Sequence, residues 1–109
     1  MSGKNVLDMG SGTAVLAILA EMRGAAHVDA IDIDEWAFEN GEENAQMNGC
    51  NSIDCFKGGA ELLSDQQYDV IFANINRNIL LRDMHAYASV LKDGGEILSV
   101  DFICKISHI

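Results

Sequence analysis

Short apolar runs alternate along this chain with longer segments that have the spacing of helices. Apolar runs of five to seven residues are typical of buried strands, and a helical segment between two of them predicts a parallel crossover. The predicted strands are Asn5–Met9, His27–Asp32, Ser52–Lys57, Tyr68–Asn74 and Glu96 to about Val100. This alternation predicts an α/β domain around a central, mostly parallel sheet.

The first predicted helix runs from residue 14 to about residue 23 and is apolar on every side. A helix without a polar face is expected to be buried against the sheet. Thr13 is its predicted N-cap, and Gly24 ends it.

Two further helices follow in the pattern. One begins at Asp34 or Glu35 and continues to Asn48, where Gly49 ends it. The other helix follows the fourth strand and has an apolar stripe. We expect this stripe to pack against the sheet and to have no further role. The stripe consists of Leu80, Met84, Tyr87, Ala88 and Leu91. The segment Lys92–Gly95, KDGG, predicts a turn before the last strand.

A glycine-rich turn joins the first strand to the first helix and carries the strongest chemical signal. Gly10 and Gly12 let backbone amides approach a ligand closely, but Val15 stands where a dinucleotide-binding turn has its third glycine. Asp8, two residues before Gly10, would repel a pyrophosphate and suits a ligand with an ammonium group. S-adenosylmethionine is such a ligand. The same two residues, Val15 and Asp8, argue against a nicotinamide dinucleotide as the ligand and so against a nicotinamide-dependent oxidoreductase.

The segment DMGSGTA, residues 8–14, resembles the first motif of the Rossmann-like S-adenosylmethionine-dependent methyltransferases, with Ala14 in place of that motif's third glycine. The similarity continues at Asp32, in ENAQMNG (residues 43–49) and in FANINRNIL (residues 72–80). Together these segments most resemble the PrmA family, which methylates amino groups of a large-subunit ribosomal protein. The resemblance implies a three-layer fold with strand order 3-2-1-4-5, here without the family's last two strands.

The resemblance also implies a set of site residues. The residues expected to hold the cofactor are Asp8, Gly10, Ser11, Gly12, Asp32, Ile33, Gly59 and Asn74. Asn74 is also the expected catalytic residue, because its side-chain carbonyl could accept a hydrogen bond from the acceptor amine. Many relatives carry an adenine-binding acid at the position of Gly59, so adenine recognition is weaker or differently arranged.

Structural alternatives stay open for three of these side chains. Asp32 could bind the ribose hydroxyls or cap the following helix, a role equally open to Asp34. Asn74 could simply form a turn. Trp36 could line the adenine pocket or pack on the sheet.

Composition narrows the partners and the compartment. The formal net charge of −10 offers no basic stripe for nucleic acid, and it suits either a basic protein substrate or solubility alone. We expect no direct nucleic-acid contact. The sequence has no apolar run long enough to cross a membrane, and we expect no signal peptide, so the expected location is the cytoplasm. The three cysteines are expected to be reduced, and the three histidines show no metal-ligand spacing, so no metal site is predicted.

Residues 1–109 are interpreted as a single S-adenosylmethionine-binding domain that is truncated at both ends relative to the family. The family has seven strands and a separate amino-terminal recognition domain, whereas Asp101 and the final FICKISHI depart from the family pattern. The fifth strand would then be an exposed apolar edge through which the chain could self-associate. Two alternatives for function stay open: a cofactor-binding fragment without catalysis, and a methyltransferase acting on a small molecule or RNA.

Overall fold

The computed structural model describes residues 2–99 as an α/β domain with five strands and three helices. The strands are β1 (Asn5–Met9), β2 (His27–Asp32), β3 (Ile53–Lys57), β4 (Tyr68–Ala73) and β5 (Leu91–Ser99). The helices are α1 (Val15–Met22), α2 (Glu35–Met47) and α3 (Arg77–Ser89), and a short 3-10 turn spans Ala60–Leu62. The predicted order of elements is confirmed.

All neighbouring strands run parallel, in the order β3-β2-β1-β4-β5. This confirms the predicted fold class and strand order. Met9 at the end of β1 lies beside Ile31 of β2 and Ala73 of β4. The loops that follow these three strands therefore leave the sheet at the same edge, where open α/β sheets place their ligands.

The two faces of the sheet have different cores. The face covered by α1 and α2 is packed with small residues, among them Ala17 and Ala20 of α1 against Val6 and Val28. The opposite face carries larger groups, including Leu7, Ile31 and Ile71 beneath Tyr87 of α3. Because strand residues alternate between faces, this division produces the expected three layers.

The start of α1 differs from the prediction. The N-cap is Ala14 with φ 66°, a left-handed conformation that is uncommon for a residue with a β-carbon, and no side chain caps the helix. The prediction of Thr13 as N-cap is therefore wrong. Gly12 also has a positive φ of 56°, so the turn needs two left-handed residues to enter the helix.

The prediction that α1 is buried against the sheet is confirmed for one face of the helix, but its larger apolar side chains are not all part of the core. Val15, Leu19 and Met22 are 57%, 48% and 72% exposed, whereas Ala17 and Ala20 are buried. Small residues on the buried face let the helix lie close to the sheet, and the larger apolar side chains project outward.

The last strand begins earlier than predicted. Tyr68 pairs with Leu91 and Val70 pairs with Glu96, so Lys92–Gly95 form an insertion in β5 where the pattern predicts a separate turn. In the stripe of α3, Ala88 is exposed, so its predicted packing role is wrong, whereas Tyr87 is fully buried.

Within residues 2–99, β3 and β5 are the two edges of the sheet. Self-association through β5 stays a prediction. Asp101 and the FICKISHI segment lie outside the described residues. No helix in the described part of the chain is long and apolar enough to cross a membrane.

Candidate functional site

A cavity of about 210 Å³ opens at the carboxyl edge of the sheet, where the predicted site residues converge. It is lined by Met9, Gly10, Ile31, Asp32, Ile33, Gly58, Gly59, Ala60, Asn74, Ile75, Ile79, Arg82, Asp83 and Tyr87. A larger groove of about 480 Å³ lies between α2 and β3, away from the glycine turn and Asn74. The smaller cavity is therefore the candidate site.

The glycine turn is held against the neighbouring strands by its backbone. The amides of Gly10 and Ser11 donate to the carbonyl oxygen of Ile31 at 2.8 and 3.0 Å. Gly10 has φ 76°, and a β-carbon there would clash with the backbone oxygen of Asn74 and lie 2.8 Å from Cγ2 of Ile75. Only glycine fits this position, because the two loops approach each other so closely.

Asp32 connects the glycine turn to the start of α2. Its Oδ2 accepts a hydrogen bond from the Gly12 amide at 2.8 Å, and its Oδ1 accepts from the Asp34 amide at 2.9 Å. Asp34, in contrast, is the N-cap of α2 and accepts from the amides of Trp36 and Ala37. Asp32 lines the cavity with acceptor capacity left on both oxygens.

Asp8 lies beneath the glycine turn and does not line the cavity. It is fully buried, and neither carboxylate oxygen has a hydrogen-bond partner among the described residues. Burial raises its pKa to about 7, and the negative charge of Asp32 adds to the rise. The nearby backbone N–H of Ala17 opposes this rise without making a hydrogen bond to either oxygen.

Asn74 follows β4 and faces the cavity. Its amide donates to the carbonyl oxygen of Met9 at 2.8 Å, which continues the contact between β4 and β1, and its side chain is exposed. The capping role in this loop belongs to Asn76, whose Oδ1 accepts from the Ile79 amide at 2.9 Å. The side-chain amide of Asn74 is thus available to a ligand.

The far wall is formed by the loop after β3. Gly58, Gly59 and Ala60 line the cavity beside α3, and the amide of Gly59 donates to Oε1 of Glu61 at 2.9 Å. Ile33 is 77% exposed at the rim. No side chain of residues 58–60 can supply a polar contact, as the sequence indicates.

The structure thus separates the predicted site residues into two groups. Gly10, Asp32, Ile33, Gly59 and Asn74 line one cavity. Asp8, Ser11 and Gly12 are not among the residues that line it. Trp36 is 66% exposed and does not line the cavity, so neither of its two alternatives, lining the adenine pocket or packing on the sheet, is supported.

The sequence patterns do not predict the wall that α3 contributes. Ile79, Asp83 and Tyr87 recur every four residues and line the cavity together with Arg82. Arg82 and Asp83 form a bidentate ion pair, with Nε–Oδ1 and Nη2–Oδ2 distances of 3.0 and 2.9 Å. The helical spacing of Asp83 and Tyr87 was the available signal, because residues four apart share one face.

A second polar cluster that sequence spacing did not show lies at the start of the strands. His27 Nε2 is 2.7 Å from Oδ1 of Asp29 and 3.4 Å from Oδ2 of Asp54. Parallel pairing of β2 with β3 brings these residues together, and Asp29 also accepts from the Tyr68 hydroxyl at 2.6 Å. The contacts account for the cluster as a hydrogen-bonded network, and the prediction of no metal site stays a prediction.

Known proteins resemble this chain in sequence and in structure. A ribosomal protein L11 methyltransferase of Porphyromonas gingivalis is 53% identical over 103 residues, which are 94% of this chain and 36% of that protein. A crystal structure of ribosomal protein L11 methylase from Lactobacillus delbrueckii subsp. bulgaricus superposes with a TM-score of 0.83 at 34% identity, over 91% of this chain and 52% of that one.

A third similarity concerns the fold alone. An S-adenosylmethionine-dependent methyltransferase of Thiobacillus denitrificans, crystallised with S-adenosyl-L-homocysteine, has a TM-score of 0.79 at 24% identity, over 90% of this chain and 42% of that one. The chain therefore spans only a third to a half of the length of these proteins.

The sequence model of the family described as Ribosomal protein L11 methyltransferase (PrmA) matches residues 1–103. This match covers nearly the whole chain, including the glycine turn, Asp32 and Asn74. The chain belongs to the PrmA family of ribosomal protein L11 methyltransferases.

Proposed function

We propose that this chain binds S-adenosylmethionine in the cavity at the carboxyl edge of the sheet and transfers its methyl group to amino groups of ribosomal protein L11. The observation that carries the proposal is the convergence of the glycine turn, Asp32 and Asn74 on one cavity. These three features come from different crossovers, so their meeting is a property of the fold rather than of one motif.

The cofactor-binding set is Asp8, Gly10, Ser11, Gly12, Asp32, Ile33, Gly59 and Asn74. Asp32 accepts hydrogen bonds from the ribose hydroxyls with the lone pairs that its two backbone contacts leave free. The turn at Gly10 lets the ligand approach the backbone, and Ile33 and Gly59 flank the base. Asp8 does not line the cavity, so it favours the ammonium group of the methionine moiety only at a distance, through the charge of its ionised form.

Asn74 orients the amine that receives the methyl group. Its side-chain carbonyl accepts a hydrogen bond from the amine, which holds the nitrogen lone pair toward the cavity. When bound, the cofactor supplies a methyl group that its sulfonium already activates, so the chain has to position and desolvate the acceptor. The chain needs no acid–base pair for this step, and none of the described residues is assigned as the proton acceptor.

The charge of the chain is consistent with a basic protein acceptor. A net charge of −10 attracts a cationic partner and repels phosphate backbones, which favours the protein acceptor over RNA. Since ribosomal proteins are made in the cytoplasm of bacteria, we place the activity in that compartment.

The test is methyl transfer from isotopically labelled S-adenosylmethionine to purified ribosomal protein L11. Asn74→Ala is expected to lower kcat by about 100-fold, because a misplaced acceptor loses its reactive geometry. Asp34→Ala is the control, since Asp34 caps α2 and its side chain does not line the cavity.

Three other outcomes would each contradict part of the proposal. Cofactor binding without any transfer to L11 would support a cofactor-binding chain without catalysis. Transfer to RNA or to a small molecule, with L11 unmodified, would identify a different acceptor. Equal transfer by Asn74→Ala and the unmodified chain would remove Asn74 from the mechanism.

A further inference from the structure

The hydroxyl group of Tyr87 is buried and unsatisfied in the wall of the cavity. Tyr87 is fully buried, and its Oη has no hydrogen-bond partner among residues 2–99. The same side chain lines the candidate cofactor cavity. An unpaired buried hydroxyl is unfavourable, and this oxygen has almost no accessible surface. A ligand in the cavity can therefore complete its hydrogen bonding only when the side chain turns toward the cavity.

Asp83 lies one helical turn before Tyr87 and lines the same cavity. Its side chain is only 18% exposed, and its hydrogen bonds with Arg82 hold its pKa below the usual range, so it is a carboxylate at neutral pH. Burial, with the charge of Asp83 adding to it, raises the pKa of Tyr87 to about 12. The pair therefore presents one anionic acceptor and one neutral hydroxyl that can both donate and accept.

The surroundings of this pair determine which part of a ligand it meets. Asp32 and Asn74 lie at the ends of the strands, whereas Asp83 and Tyr87 come from α3. Ile33, Ile75 and Ile79 add apolar lining, which suits a planar base. The loop at Gly59 lies beside α3 and has no polar side chain in the cavity, so α3 supplies the polar side chains of this part of the wall.

We propose that Asp83 and Tyr87 bind the amino-bearing edge of the adenine base and thereby determine the specificity of the cavity for an adenosyl ligand. This inference rests on the proposed function, because it assumes that S-adenosylmethionine occupies the cavity. The Asp83 carboxylate accepts a hydrogen bond from the exocyclic amine. The Tyr87 hydroxyl bonds a ring nitrogen once its side chain has turned toward the cavity. An inosyl ligand has an oxygen in place of the amine, and two facing acceptors repel each other.

The test compares binding of S-adenosylhomocysteine and S-inosylhomocysteine by titration calorimetry. The unmodified chain is expected to favour the adenosyl ligand by at least about tenfold. In Asp83→Asn the preference is expected to fall to about twofold or less, because an amide can donate to the inosyl oxygen as well as accept from the adenosyl amine. Asp32→Asn is the matched control. It should lower the affinity for both ligands and keep the ratio of the two affinities, since the ribose is common to both.

Tyr87→Phe gives a second, independent readout. It removes only the unpaired hydroxyl, so thermal unfolding of the free chain should stay unchanged or move to higher temperature. Its affinity for S-adenosylhomocysteine should nevertheless fall by about three- to tenfold. A purely structural role for this tyrosine would instead lower the unfolding temperature and leave the affinity of the folded variant unchanged.

The outcomes separate failure of the inference from failure of the proposed function. If the folded, unmodified chain binds neither ligand, the proposed cofactor is wrong and this inference falls with it. If the chain binds and Asp83→Asn keeps the preference, the inference alone is overturned. If Asp83→Asn changes only KM for the protein acceptor, Asp83 contacts that acceptor, and the inference is again overturned.

Discussion

The two walls of the cavity are built in different ways. The glycine-turn wall is fixed by backbone hydrogen bonds, including those from Gly10 and Ser11 to Ile31 and from Gly12 to Asp32. The α3 wall consists of side chains, with an ion pair between Arg82 and Asp83 and an unpaired hydroxyl at Tyr87. The first wall has its geometry before a ligand arrives, whereas the second still has hydrogen-bonding capacity that a ligand can complete.

The largest expected effect tests the rigidity of the glycine-turn wall. Gly10→Ala should lower the free energy of unfolding by roughly 3 kcal/mol or more, because its β-carbon meets backbone atoms of the Asn74 loop in a left-handed conformation. Gly12→Ala is the matched control, since φ is also positive there but nothing lies within 4 Å of a β-carbon. It should cost only about 1–2 kcal/mol. Equal losses in urea denaturation would contradict the close approach of the two loops.

The next effect concerns the buried acid under the same wall. The pKa of Asp8 is raised to about 7 in the folded chain from 3.8, so the folded state retains a proton that the unfolded chain has lost. The stabilisation is fully present below pH 3.8 and is lost as the pH rises to about 7. Between pH 5 and pH 7 the free energy of unfolding should fall by roughly 2–3 kcal/mol through this group.

Urea denaturation of Asp8→Asn over the same pH range provides the control for that prediction. Its neutral side chain resembles protonated Asp8 in shape and cannot ionise, so its stability should be nearly independent of pH from 5 to 7. If the free energy of unfolding of Asp8→Asn falls with pH as steeply as that of the unmodified chain, another group causes the pH dependence.

The smallest effects come from the two helix caps and sharpen the comparison between the walls. Asp34→Ala and Asn76→Ala should each lower the free energy of unfolding by about 1 kcal/mol, because each removes a side-chain N-cap. Loss of the Asn76 cap should also weaken S-adenosylhomocysteine binding by a few-fold, since it loosens α3. Loss of the Asp34 cap should leave the affinity for S-adenosylhomocysteine unchanged, because the contact between Asp32 and Gly12 persists. If calorimetry shows that Asp34→Ala weakens S-adenosylhomocysteine binding more than Asn76→Ala does, the distinction between the two walls is contradicted.

Local sequence patterns predicted the parts of the molecule that depend on neighbours along the chain. The strand order, the glycine turn, the cap at Asp34 and the position of Asn74 all follow from alternation, glycine spacing and resemblance. Ala14 was misassigned because a left-handed alanine has no sequence signal of its own. The bulge at Lys92–Gly95 was taken for a turn, since the pattern does not show that Leu91 already pairs with β4.

The α3 wall was not predicted, for a physical reason. Tyr87 is in an apolar stripe and does pack against the sheet, so its ring supports the packing interpretation. Its side chain lines the cavity only because β4 and β1 are adjacent and α3 packs against both, which is information about tertiary structure. A residue with an apolar body and a polar end can belong to the core and to a site at once.

The most direct test of the central claim is calorimetric titration of the folded chain with S-adenosylhomocysteine, in parallel with Asp32→Ala and with Asp34→Ala as the control. The account predicts binding by the unmodified chain, a loss of roughly 100-fold in Asp32→Ala because hydrogen bonds to a charged acceptor are removed, and unchanged affinity in Asp34→Ala. Absence of binding by a demonstrably folded chain, or equal affinity in Asp32→Ala, would contradict the assignment of this cavity to the cofactor.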